Sequence, residues 1–168
     1  LVAAYLVGPR IGRFNNDGTV NHLPQQSVVL QVLGTLIIWF GWYGFNGVST
    51  LAIVGVSGIA AKTCVTTTIS AAFGGITTVF LSKITDEIWD VSSASNGILA
   101  GLVGITAGCS VVEPEGAMII GVVSAFVYLA SSKLLLKLQI DDVVNAVPVH
   151  LFCGIWGTIA ASLFATED

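Results

Sequence analysis

Residues 28–61 read VVLQVLGTLIIWFGWYGFNGVSTLAIVGVSGIAA and contain no Asp, Glu, Lys or Arg. A helix that crosses a bilayer needs about 20 predominantly apolar residues, so this stretch is longer than one crossing requires. Polar and small residues interrupt it from Asn46 to Thr50, as is typical of a turn. The stretch therefore predicts one helix that ends near residue 46 and a second that begins near residue 52.

Further uncharged runs, each about as long as one membrane crossing requires, occupy most of the remaining chain. A strand of a membrane barrel has about 10 residues, with apolar and polar side chains in alternation. These runs are longer and show no such alternation, so helices are favoured over a barrel. The fold class that we predict is an all-α polytopic membrane protein, with residues 1–168 as a single membrane domain. The first predicted span, over 1–9, is partial and looks like the end of a helix that starts before Leu1. The full spans are predicted over about 27–46, 52–82, 92–112, 115–136 and 143–165.

The composition of the whole chain agrees with a bilayer environment. Hydrophobic residues make up 54% of it and charged residues 10%, against about 25% charged in an ordinary soluble domain. A net charge of −4 provides no basic surface for nucleic acid, which we exclude as a partner. The three cysteines have no regular spacing, and no metal-ligand cluster, phosphate-binding loop or nucleophile elbow is present. We therefore expect neither an enzyme nor a metal or cofactor site.

The basic residues predict the orientation of the spans, because Lys and Arg gather on the cytoplasmic side of a membrane. Five of the six lie in loops that alternate along the chain. The loops that we expect to be cytoplasmic are those near Arg10, Lys83 and Lys133. The turns near Asn46 and Glu113 then face the extracytoplasmic side. Lys62 is the exception, and we expect its side chain to face other helices or to reach toward a polar layer.

Glycines recur at helical spacing, which lets two helix backbones approach closely in a membrane. One continuous stripe consists of Gly97, Gly101, Gly104 and Gly108. We expect similar close approaches at Gly154, Gly157 and Ala161 in the last span and at Gly41 and Gly44 in the second. The glycines thus predict a tightly packed helical bundle.

His150 lies within the last predicted span, which contains no Asp, Glu, Lys or Arg. A charged group at that depth costs about 2.5 kcal/mol or more, so an ionisable residue there indicates a substrate pathway. Desolvation favours the neutral imidazole, whose two nitrogens still need hydrogen-bond partners. The alternative is a histidine that is simply bonded to a neighbouring backbone group. Pro148 nearby predicts an irregular local helix.

Trp42, Phe45 and Ser49 are spaced i, i+3 and i+7, so they share one helix face that leads to the extracytoplasmic end. Aromatic faces attract cations and a hydroxyl supplies an acceptor, so the three suit a small cation that sheds water before an apolar constriction. The alternative is an aromatic belt at the membrane interface, to which Trp39 and Tyr43 could equally belong.

Two adjacent carboxylates, Asp141 and Asp142, precede the last span. Acidic side chains near a helix N-terminus accept hydrogen bonds from its free N–H groups and favour the positive end of its dipole. We expect these residues to cap the span rather than to catalyse a reaction.

Four stretches of the sequence resemble the ammonium transporters of the Amt/Mep/Rh family. They are LVGPRIGRF (6–14), GWYGFN (41–46), GILAGLVGIT (97–106) and VHLFCGIWG (149–157), with Asp141 and Asp142 upstream of the last. The resemblance covers nearly the whole chain. It implies a segment from the end of the fifth to the tenth transmembrane helix of an eleven-helix bundle, which assembles as a homotrimer and which we expect in the plasma membrane.

The resemblance also implies roles for individual residues. Phe45 corresponds to the inner of two phenylalanines that close the outer mouth, Ser49 to the hydroxyl of the ammonium recruitment site, and Trp42 to a residue that lines the pore below. His150 corresponds to the second of two pore histidines, the first of which is expected before Leu1. The implied activity is recruitment of ammonium or methylammonium and conduction of ammonia, with or without a proton, past the histidines.

The sequence departs from the family pattern beside the pore histidine. Pro148 and Leu151 stand where the family commonly has Gly, and Asn145 stands where Asp is usual. These departures affect the expected pore width and conduction rate. They leave an alternative open, in which the same fold serves as an ammonium sensor with little transport.

Overall fold

The computed structural model describes residues 1–166 and is built from helices and their connections. The α-helices are α1 (Val2–Val7), α2 (Val28–Gly47), α3 (Ser57–Asp86), α4 (Val91–Thr106), α5 (Pro114–Lys137) and α6 (Cys153–Phe164). A 3-10 helix, Val48–Thr50, follows α2, and a π-helix, Val147–Phe152, leads directly into α6. Only isolated β-bridges and no strand occur in the described part of the chain, so the all-α prediction is confirmed. Residues 167 and 168 of the predicted domain lie outside that part.

Four helical segments are long and apolar enough to cross a membrane. They are Val28–Thr50, Ser57–Asp86, Pro114–Lys137 and Val147–Phe164. Helix α4 is apolar but shorter, with 16 residues. The chain is therefore a polytopic membrane protein, as its composition indicates.

Helix α4 lies at the centre of the bundle and contacts α2, α3, α5 and α6. Its glycine stripe makes this possible: a Cβ atom on Gly101 would lie 2.3 Å from the carbonyl oxygen of Ser70 in α3, and one on Gly157 in α6 would lie 2.5 Å from that of Gly104. Backbone atoms at such distances leave no room for a side chain. The predicted close packing is confirmed for this stripe and for Gly157.

Gly41 and Gly44 behave differently, and close packing at this pair stays a prediction because neither glycine contacts another helix within residues 1–166. A Cβ atom on either residue would meet no atom within 4 Å. Both lie on a side of α2 that is not packed against the described bundle. Helical spacing alone therefore does not identify a contact.

The helix ends differ from the predicted spans wherever an uncharged run includes turns. Helix α4 stops at Thr106 rather than near 112, because the next residues fold into turns in which Val111 and Val112 donate to the carbonyl of Gly108. Helix α3 starts at Ser57 rather than 52, after positive φ angles of 58° at Leu51 and 85° at Gly55. Hydropathy does not distinguish an apolar turn from an apolar helix.

Candidate functional site

Trp42 and Phe45 form an aromatic pair near the C-terminal end of α2. Their spacing places both rings on one face, with ring centroids 5.7 Å apart and an angle of 67° between the planes. This edge-to-face arrangement is a favoured geometry for aromatic side chains. Phe45 is 62% exposed in the described bundle, so its side chain is accessible there.

The indole of Trp42 is fixed by a residue that the sequence analysis did not single out. Its Nε1 donates a 3.0 Å hydrogen bond to Oγ1 of Thr106, the last residue of α4. That hydroxyl in turn donates to the carbonyl oxygen of Leu102 at 2.7 Å. Thr106 ends the quoted stretch 97–106, but nothing in its spacing indicates that it pairs with Trp42.

Ser49 lies in the 3-10 helix, one turn beyond Phe45. Its hydroxyl donates to the carbonyl oxygen of Phe45, and the residue is exposed. A hydroxyl that donates in this way keeps lone pairs on its oxygen as acceptors. The structure therefore places the Ser49 hydroxyl against the backbone of Phe45.

His150 lies in the π-helix, at an exposed position. The three residues before it, Val147, Pro148 and Val149, are buried, and Val149 packs in a cluster that includes Tyr128 of α5. Proline cannot donate a backbone hydrogen bond, and wide turns of this type commonly lie at functional sites. The irregular helix predicted from Pro148 is confirmed.

Helix α4 contacts both the helix that carries the aromatic pair and the π-helix that carries His150. Helix α2 and the π-helix make no direct contact with each other within residues 1–166. The predicted site residues therefore form two groups, with Trp42, Phe45 and Ser49 in one and His150 in the other.

The two carboxylates before the π-helix have separate roles. Asp142 accepts a 2.6 Å hydrogen bond from the backbone N–H of Val147, so the capping prediction is confirmed for this residue. It is wrong for Asp141, whose carboxylate binds Arg10 through Nε at 2.7 Å and Nη2 at 2.9 Å. The Arg10 hydrogen bonds lower the pKa of Asp141 below its ordinary value and outweigh burial, which acts in the opposite direction.

Lys62 forms an ion pair at the opposite end of the bundle. Its Nζ lies 2.7 Å from Oε1 of Glu113, in the turn between α4 and α5. The predicted reach of this side chain toward a polar layer is consistent with that contact. The pair joins the start of α3 to the start of α5.

Comparison with known proteins identifies the family. The chain matches the model of the Ammonium Transporter Family over residues 1–168. It is 43% identical to Ammonium transporter 1 member 1 of Arabidopsis thaliana, over 99% of this chain and 35% of that protein. It is 41% identical to Ammonium transporter 3 of Dictyostelium discoideum, over 98% of this chain and 39% of that protein.

Solved structures give the same result. The chain superimposes on a structure described as Sensor Amt Protein with a TM-score of 0.93 and 37% identity, over 98% of this chain and 40% of that one. It superimposes on Mep2 of Candida albicans with a TM-score of 0.84 and 32% identity, over 98% of this chain and 36% of that one. The chain thus spans less than half the length of these relatives. Since the family match covers the whole chain, this integral membrane protein belongs to the ammonium transporter family, a family of transporters rather than enzymes.

Proposed function

We propose that this chain is part of a channel-like transporter that recruits ammonium at Trp42, Phe45 and Ser49 and conducts ammonia past His150. The observation that carries the proposal is the aromatic pair, in which Thr106 fixes the Trp42 indole by a hydrogen bond and Phe45, packed edge-to-face against that indole, is 62% exposed. An immobilised, accessible aromatic face is suited to a cation. The family membership supplies ammonium as that cation.

The proposed chemistry follows from the cost of charge in an apolar tube. A desolvated cation over Trp or Phe gains up to about 2 kcal/mol, and the Ser49 oxygen adds an acceptor. Farther along, a charged ion is costly, whereas neutral ammonia can hydrogen-bond to an imidazole at little cost. Ammonium therefore loses its proton before or within the conduit, with or without conduction of that proton. Potassium cannot deprotonate, which gives the selectivity.

The proposal also covers the assembly of the protein, its membrane and its orientation. We place the assembly, a homotrimer, in the plasma membrane, with the loops near Arg10, Lys83 and Lys133 on the cytoplasmic side. The pairing of Lys62 with Glu113 supports this orientation, because it accounts for the one basic residue outside those loops. Ammonium and methylammonium are the proposed substrates.

The experiment measures uptake and current in a transport-deficient host that expresses the full-length parent protein. Wild type is compared with His150→Leu, and potassium serves as the control ion. We expect ammonium-selective transport in wild type and a loss of at least about tenfold in the variant at equal surface expression, because Leu offers no hydrogen bond. Equal transport by the two proteins would contradict the role of His150, and no ammonium transport by wild type would contradict the transporter proposal.

The second candidate function is an ammonium sensor with little transport. The observation that favours it is the similarity to the structure described as Sensor Amt Protein. A sensor would bind ammonium without a sustained current. Saturable ammonium binding to the purified parent protein, together with negligible uptake, would therefore support this alternative.

A further inference from the structure

The segment between α1 and α2 is tied to the bundle by one buried carboxylate. The Asp141 side chain is 2% exposed and lies between Arg10, which is 40% exposed, and Arg13, which is 17% exposed. Arg10 binds both carboxylate oxygens and adds a 3.0 Å hydrogen bond from its backbone N–H, while Nε of Arg13 lies 3.5 Å away. We call Arg10, Arg13 and Asp141 the arginine clasp.

The geometry of the clasp is specific rather than a loose surface contact. Two parallel N–H···O bonds from one guanidinium fix both the distance and the orientation of a carboxylate. Removal of one partner from a buried charge pair leaves the other charge uncompensated, which is more costly than loss of an exposed pair. Within residues 1–166, α1 contacts no other helix, and the segment after it is joined to the bundle by the clasp and by a hydrogen bond from Gln25 to Ser92 at the start of α4.

The clasp lies next to the start of the π-helix. Asp142, the residue after Asp141, accepts the backbone N–H of Val147, where the π-helix begins. Between them Asn145 has a φ of 54°, and its Oδ1 accepts a hydrogen bond from Ser132 of α5 at 3.0 Å. The connection thus follows a defined path, so a shift of Asp141 would be transmitted to the π-helix and to His150.

We infer that the arginine clasp positions the π-helix, and through it His150, along the transport pathway. On this assignment Arg10 and Asp141 are positioning residues, since neither is in contact with His150. Two supports determine the location of His150: the packing of Val149 against α4 and α5 on one side, and the clasp with Asp142 at the start of the π-helix. The clasp thereby couples the segment after α1 to the segment that carries His150. The inference rests on the proposed function only for its effect on transport.

The first test is hydrogen exchange, by mass spectrometry, on the purified full-length parent protein. Arg10→Gln and Asp141→Asn are compared with Asp17→Asn, a matched control in the same segment whose carboxylate binds Thr19. We expect exchange in peptides that cover 147–152 to be about fivefold faster or more in both clasp variants and unchanged in the control. Unchanged exchange in 147–152, or an equal rise at the α3–α4 contact, would overturn the inference.

The second test measures transport per surface molecule for the same variants. A displaced His150 should lower the maximal rate several-fold while KM stays unchanged, because the residues proposed to recruit ammonium lie on and just after α2, which makes no direct contact with the π-helix within residues 1–166. Arg10→Lys, which keeps the charge but not the two parallel hydrogen bonds, should fall between wild type and Arg10→Gln. A changed KM with an unchanged maximal rate would contradict the positioning role. If wild type moves no ammonium but the exchange pattern holds, the proposed function fails and the positioning of the π-helix stands.

Discussion

Helices α2 and α3 are both apolar enough to cross a membrane, yet they have different surroundings. Of the most apolar 18-residue stretch in each span, 6% is buried in the described bundle for the span that contains α2, against 39% for α3. The exposed residues of α2 are large, for example Leu36, Ile37 and Phe40. The buried residues of α3 are small or hydroxylated, for example Thr66, Ser70 and Gly74.

Within residues 1–166, the buried helix faces are therefore marked by small and hydroxylated side chains rather than by a higher hydropathy. Apolar residues gain little by leaving lipid for another helix, so contact depends on close approach and on hydrogen bonds between helices. Ser70 illustrates both, because its hydroxyl donates to the carbonyl of Gly101 at 2.8 Å and its own carbonyl lies against that glycine. Residues of this type mark the interior of the bundle.

The same substitution in the two regions tests this comparison and should give the largest effect. Gly101→Ala places a Cβ atom 2.3 Å from the carbonyl oxygen of Ser70, so helices α3 and α4 must separate. We expect a loss of roughly 2 kcal/mol or more in unfolding free energy, seen as a lower melting temperature in detergent and less protein at the cell surface. Gly41→Ala, which meets no atom within 4 Å, should be neutral. Equal losses would show that the full-length protein also packs against Gly41.

Charge at the two ends of the bundle extends the comparison, since the side chain of Asp141 is 2% exposed and that of Glu113 is 47% exposed. The pKa of Asp141 is lowered in the folded state, so its ionised form stabilises the fold above the ordinary value of 3.8, and this contribution is lost as pH falls through the lower folded pKa.

Asp141→Asn should therefore lower the melting temperature near pH 7, by less than Gly101→Ala, and its difference from wild type should shrink at pH values below about 4. Melting curves of the full-length protein over that range provide the measurement, with Glu115→Gln as the control for loss of one carboxylate elsewhere in the chain. A difference that is constant with pH would show that ionisation of Asp141 does not stabilise the fold.

Much of the fold could be predicted from the sequence because the relevant signals are local. Uncharged runs and the glycine stripe from Gly97 to Gly108 each depend on neighbouring residues along one helix. The ends of helices were less predictable, since apolar turns such as 107–112 look the same as apolar helix. The geometry of the Trp42–Phe45 pair follows from their spacing, but its hydrogen bond to Thr106 depends on how α2 and α4 meet.

The ionic contacts show the same limit. Adjacent carboxylates before a helix predict capping, and Asp142 caps the π-helix. Asp141 differs from it only through a partner, Arg10, that is distant in sequence and near in the fold. No local pattern distinguishes the two aspartates, so the arginine clasp could not be predicted without the structure.

The smallest effect is expected at the Lys62–Glu113 pair, which provides the sharpest contrast with the clasp. Both side chains are partly exposed, at 24% and 47%, and exposed ion pairs contribute about 0.5 kcal/mol or less because water and salt screen them. Glu113→Gln should therefore change the melting temperature little more than Glu115→Gln, which removes a charge from the same end of α5 without breaking that pair. A loss as large as that of Asp141→Asn would mean that Glu113 is buried in the full-length protein. In that case ion pairs would stabilise both ends of the bundle to a similar extent. Side-chain exposure within residues 1–166 would then no longer distinguish a contact that positions a segment from a contact at the surface.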